Sequence, residues 1–220
     1  MFSGKIEDYI LFEDKEIIVC RKPAGIAVQN ARIGAMDLES SLKNYLAMQD
    51  GGGRRIPYLA VIHRLDQPVE GILVFGKTPE AAKSLSAQIT AGKMEKIYLA
   101  VTYGKQAEAG KKEKVLEDYL KKDGKSNTSS VVNAHTPGAK KARLSYEVLG
   151  EAVDAISGKK KWLLRIHLDT GRHHQIRVQM AYAGHPLLGD TKYNPQAGKE
   201  KEWQYIALCA YKLIFTHPKT

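Results

Sequence analysis

Cysteine is scarce in this 220-residue chain: Cys20 and Cys209 lie far apart in strand-like apolar segments. Neither has a ligand-type neighbour at metal-binding spacing, so a disulfide scaffold is excluded and two buried, reduced thiols are expected. Long apolar runs are also missing. Charges interrupt each run well before the roughly 20 residues a membrane helix needs. The amino-terminal MFSGKIEDYILFEDKE has acidic residues where a secretory signal keeps about 7 to 15 apolar ones, so the expected location is the cytoplasm. Nucleotide and hydrolase signatures are absent too. The glycines of DGGGRR (50–55) are not followed by Lys and Ser or Thr as in a P-loop, and that stretch reads as a basic surface loop. No dinucleotide fingerprint or serine elbow occurs. His173 and His174 are adjacent, and on a helix they would point about 100° apart, unlike the i, i+4 pair of zinc hydrolases. Chemistry without metal or cofactor is therefore expected.

Acidic residues are outnumbered as well: 24 Asp and Glu face 34 Lys and Arg, a formal net charge of +10 and a pI near 9.4. Such a balance suits a polyanion, nucleic acid first, although a basic surface alone does not establish one. With 43% hydrophobic residues the chain can bury one large core. A single domain of catalytic size over 1–220 is expected, as a monomer.

Residues 16–21, EIIVCR, read as a buried strand, KPAG as a turn and IAV as a short extended piece. Leu38 to Met48 places Leu38, Leu42, Tyr45 and Leu46 on one helical face. ILVFGK is a strand, and TPEAAKSLSAQI is a helix with Thr78 as N-cap and Pro79 at its first position. KIYLAVTY, VLEDYLKK, ARLSYEVL, KWLLRIHL and IALCAYKLIFTHP read as further strands. Residues 122–140, rich in Lys, Asn, Ser, Thr and Gly, read as a long exposed connection. TGRHHQIRVQMAYAG fits a helix starting near Thr170, with Gly184 just beyond its end and Pro186 preventing continuation. GKEKEW near residue 200 reads as a solvated loop. Strands in succession with a few helices between them predict an α+β fold with a mixed, largely antiparallel central sheet and flanking helices.

The stretch HRLDQPVEG (63–71) puts His63, Arg64 and Asp66 on a turn between two apolar segments. A carboxylate there can be a structural ion-pair partner, a metal ligand, a general base or a nucleophile. Arg177 in HHQIR could pair with Asp66 and keep it ionised, or could make a plain surface ion pair. Tyr98 in EKIYLAV would face a cleft if Ile97, Leu99 and Val101 face the core, and its ring could then stack on a base. A core tyrosine is the plain alternative.

Taken together, HRLDQPVEGILVFGKT, EKIYLAV, LDTGRHHQIRVQM and GHPLLGDTKY resemble the RluA family of pseudouridine synthases. The opening FEDKEIIVCRKPAGIAV is similar to that family's first strand and turn, and the motifs run in order from about Tyr9 to Pro218. The resemblance implies a uridine in structured RNA, ribosomal or transfer, isomerised to pseudouridine without cofactor or metal. It implies Asp66 as the catalytic aspartate, Tyr98 as the ring against the base and Arg177 as the aspartate's basic partner. Arg64 is expected to fill the space left by the extruded nucleotide or to contact a phosphate, with His63, Arg172 and His174 as further substrate-binding residues. Three departures stand out: Val69 and Glu70 replace the usual Thr and Ser, Gln179 replaces a frequent His, and the small amino-terminal S4 RNA-binding module that many members carry is not expected here. They keep open the alternative of a non-catalytic RNA-binding or ribosome-assembly factor on this fold. GHPLLGDTKY is expected to be architectural, with Asp190 capping or bracing its loop.

Overall fold

The computed structural model describes residues 3–30, 36–49, 51, 56–103, 113–153, 158–194, 197 and 205–219. GKEKEW and all of DGGGRR but Gly51 lie outside these residues. The chain forms two compact units, Met1–Glu95 with Ala210–Thr220, and Lys96–Cys209. No described helix is long and apolar enough to cross a membrane.

The first unit contains strands β1 (Ile10–Glu13), β2 (Ile17–Lys22), β3 (Ala60–Val61) and β4 (Glu70–Gly76), helices α1 (Leu38–Gln49) and α2 (Pro79–Thr90), and most of β10 (Leu208–Ile214). β2 pairs antiparallel with β1 and with β4, and β3 pairs antiparallel with β4. Ile17 and Val74 from this sheet pack with Ala81 and Leu85 of α2 and with Met94. Burying each such aliphatic side chain contributes about 1.5 to 3 kcal/mol, which fixes α2 on the sheet. The Thr78 side chain caps α2 by accepting the Ala81 N–H at 3.2 Å. At α1 the Asp37 carboxylate plays that part for Ser40 N–H at 2.7 Å. α1 buries Leu38, Ser41, Leu42 and Leu46, whereas Tyr45 is only half-buried and donates its hydroxyl to Glu13 at 2.9 Å. IAV forms no strand.

The second unit is an antiparallel sheet of β5 (Glu95–Thr102), β9 (Lys160–Leu168), β8 (Lys140–Val153), β6 (Lys114–Asp123) and β7 (Thr128–Val132), in that spatial order. β7 corrects the expectation of a long open connection at 122–140. Its Ser- and Thr-rich sequence is an edge strand whose ladder to β6 compensates for weak apolar content. Helix α3 (Gln175–Tyr182) packs Val178 against Leu120 and Ala142 of the sheet. It ends in a Schellman motif: His185 N–H donates to Met180 O at 2.8 Å and Gly184 N–H to Ala181 O at 3.1 Å. Gly184 sits at φ +83°, as this motif demands. The largely antiparallel α+β class is as the sequence predicts.

Candidate active site

Asp66 lies on the turn between β3 and β4, half-buried, with Val69 N–H donating to its carbonyl at 3.0 Å. Leu65 and Val69 on either side are buried and anchor the turn. A second turn clasps it. Gly25 N–H donates to Gln67 O at 2.9 Å, and the Gln67 amide donates back to Gly25 O at 3.0 Å. Between them lies Lys22, 0% exposed, its Nζ donating to Ile26 O at 2.7 Å and to Pro23 O and Gln67 O at 3.0 Å. Burial pushes the Lys22 ammonium down to about 8, while the charges of Asp66 and Glu70 act in the opposite direction. The carboxylate of the turn thus lies in the field of a buried cation that also bonds the next residue's carbonyl. Sequence reading missed Lys22. Its signal was parity: it shares a strand face with Ile18 and Cys20, both fully buried.

His63 is half-buried, with Nε2 3.4 Å from the Val74 amide, and Arg64 is exposed. Val69, which replaces the family's usual Thr, fills an apolar position, and Glu70 is exposed at the start of β4.

The other site residues predicted from sequence belong to the second unit. Tyr98, 6% exposed, lies opposite Ile166 of β9. Its strand face corrects the expectation: Tyr98, Ala100 and Thr102 take the buried side, and Ile97, Leu99 and Val101 are only half-buried. Arg177 on α3 forms a bidentate ion pair with Asp190, Nε to Oδ2 at 2.9 Å and an amino group to Oδ1 at 2.8 Å. Both side chains are almost fully buried, at 4% and 0% exposure, so this is not the surface ion pair of the plain reading. Asp190 also accepts the Lys192 and Tyr193 N–H groups, at 3.0 and 3.3 Å, so it braces its loop and Arg177 together. The Arg177 guanidinium lies 5.2 Å from the Tyr193 ring.

His174 corrects the helical reading of TGRHH. It stands at φ +53° just before α3, which begins at Gln175, not near Thr170. Gln175 explains the late start: its side-chain oxygen accepts from the Thr170 hydroxyl at 2.7 Å and from Arg172 N–H at 3.0 Å. Its amide donates to Arg143 O at 3.0 Å. The His173 and His174 rings stack with centroids 3.8 Å apart, and His174 Nδ1 lies 2.8 Å from the Tyr193 hydroxyl. Arg172 is exposed and its Nε donates to Lys141 O at 2.8 Å. The structure therefore gathers His174 and Arg177 around Tyr193, a residue not singled out in the sequence. Gln179, fully buried, donates its amide to Asp118 at 2.7 Å.

Comparison with solved structures places this fold among the pseudouridine synthases. Human RNA Pseudouridylate Synthase Domain Containing 1 matches with TM-score 0.75 and 21% identity, over 97% of this chain and 80% of that one. Human RNA Pseudouridylate Synthase Domain Containing 4 matches with TM-score 0.72 and 22% identity, over 96% and 85%. The family profile described as RNA pseudouridylate synthase matches residues 16–182, and the chain belongs to that family. Among its relatives, tRNA pseudouridine synthase C of Haemophilus ducreyi is 33% identical over 96% of this chain and 86% of its own length. Ribosomal large subunit pseudouridine synthase D of Vibrio cholerae is 32% identical over 96% of this chain, which spans 64% of that relative. The enzyme class is accordingly that of the family, an isomerase acting on RNA.

Proposed function

We propose that this chain converts a uridine of structured ribosomal or transfer RNA to pseudouridine, with Asp66 as the catalytic carboxylate. The observation that carries the reading is the clasped turn at 65–68, which presents a half-buried carboxylate beside the buried Lys22 ammonium. The reaction breaks the bond from N1 of uracil to the ribose, turns the freed base, and joins C5 to the same sugar carbon. The detached base must be retained meanwhile, which calls for a stacking wall and a dry pocket. Tyr98 supplies the ring, Arg177, held by Asp190, the basic group, and Asp66 acts as nucleophile or base. Arg64 meets the backbone or the gap left by the extruded nucleotide, and His63, Arg172 and His174 contact flanking RNA. Extrusion costs a few kcal/mol and is easiest at a loop or bulge, so the target uridine lies in one.

The match over 16–182 reaches into both compact units and supports one catalytic domain made of the two. The chain acts as a cytoplasmic monomer in this reading, without metal or cofactor. The departures do not favour a non-catalytic factor: Val69 packs in the anchored turn, and Gln179 is bonded to Asp118. Mapping pseudouridine by primer stops, in RNA from cells with and without the gene, tests the proposal. At least one stop is expected to vanish with the gene. An unchanged map would favour the non-catalytic factor.

A further inference from the structure

The bases of the second unit are arranged unequally on the two sides of its sheet. On one side most are paired with acids: Lys141 with Glu117 at 2.7 Å, Arg165 with Glu147 at 2.6 Å, and Arg143 with Asp169, while Lys121 on that side has no ion pair among the described residues. The other side, toward α3, differs. Residues directly opposite in an antiparallel pair point the same way. Lys140 stands opposite Leu120, and Lys122 stands two residues along the same strand, opposite Ser129. Leu120 packs on Val178 of α3, so Lys122 and Lys140 leave the sheet on the α3 side at its hairpin end. Lys125 lies in the β6–β7 turn, and Arg172 and Lys192 flank α3. Lys192 Nζ donates to Asn127 O at 3.0 Å. Among the described residues, none of these five bases has an ion pair with a carboxylate. The acids nearby are fewer than the bases: Asp118, which accepts the Gln179 amide, and Asp123, which accepts the Ser126 hydroxyl and Lys125 N–H.

Grouped like charges repel, so a purely structural surface gains by interleaving acids, as the opposite side does. A side left positive fits a polyanion. It also adjoins the candidate site. Asn127, whose carbonyl holds Lys192, has its side-chain oxygen 3.2 Å from His173 Nε2. His173 stacks on His174, and His174 meets Tyr193, the ring beside Arg177.

We infer that the α3 side of the β6–β7–β8 hairpin end is a track for RNA phosphates, holding the strand next to the uridine presented to Arg177. The inference rests on the function proposed above. Lys122, Lys125 and Lys140 are exposed, so the triple variant Lys122→Gln, Lys125→Gln, Lys140→Gln should fold, which a thermal melt checks. The test uses a structured RNA modified by the wild-type chain. Losing three phosphate contacts should make the slope of log K against log salt shallower by about 2 to 3, and raise KM about tenfold with a smaller change in kcat. Lys141→Gln with Arg143→Gln, on the side where most bases are paired, should alter the slope by less than about 1. A triple variant with wild-type slope and KM, alongside active wild-type enzyme, overturns the track. If no RNA is modified by the wild type yet the triple variant still loses the slope on ribosomal RNA, the track stands and the proposed reaction fails.

Discussion

Lys22 shows how much of a site can rest on one side chain that sequence patterns hide. Its ammonium satisfies three carbonyls in a place with no exposure to solvent. Lys22→Met keeps the stem and strands those acceptors, at a cost of about 2 to 4 kcal/mol. Urea titration should show a lower midpoint at unchanged slope, while the folded fraction keeps kcat within about tenfold, because two of the three carbonyls lie on the clasping turn and one beside Asp66. A wild-type midpoint would mean that the clasp does not depend on the cation. Cys20, on the same strand face, behaves oppositely: burial pushes its thiol up to about 12, so it is an inert core residue, as its scarcity and setting in the sequence implied. Arg177 and Asp190 form the complementary case, two buried charges tolerable only as a pair.

At the scale of elements, Gly71 makes the start of β4 possible. It stands at φ +136°, and a Cβ there would collide with the backbone of Ala210 on β10. Gly71→Ala is therefore expected to destabilise the chain by more than about 2 kcal/mol, seen as a lower melting temperature; a shift within error would contradict this account of the strand. Most strands and α2 were legible from sequence because apolar runs, Thr78 and Pro79 act locally. Three features were not. β7 carries too few apolar residues to announce itself and is held by its ladder to β6. The start of α3 depends on Gln175 bonding back to Thr170 and Arg172, a side-chain geometry that a helical pattern through TGRHH conceals. The face of β5 was misread because Ile97, Leu99 and Val101 are the more apolar set, yet Tyr98, Ala100 and Thr102 are the set covered.

At the scale of the whole molecule, the proposal that Asp66, Tyr98 and Arg177 serve one reaction rests on motif resemblance. Nothing in spacing alone relates positions 66, 98 and 177. Asp190 was legible as a loop brace, but its pairing with Arg177 was not, and Lys22 and Tyr193 were missed because they act through backbone carbonyls or contacts between separated segments. The most direct measurement is isomerisation by Asp66→Asn, which keeps the side chain's size and removes its charge. Using an RNA that the wild type modifies, the account predicts loss of pseudouridine formation by at least about a thousandfold, with RNA affinity within about threefold of wild type. Pseudouridine formation by Asp66→Asn at a rate near that of the wild type would contradict it.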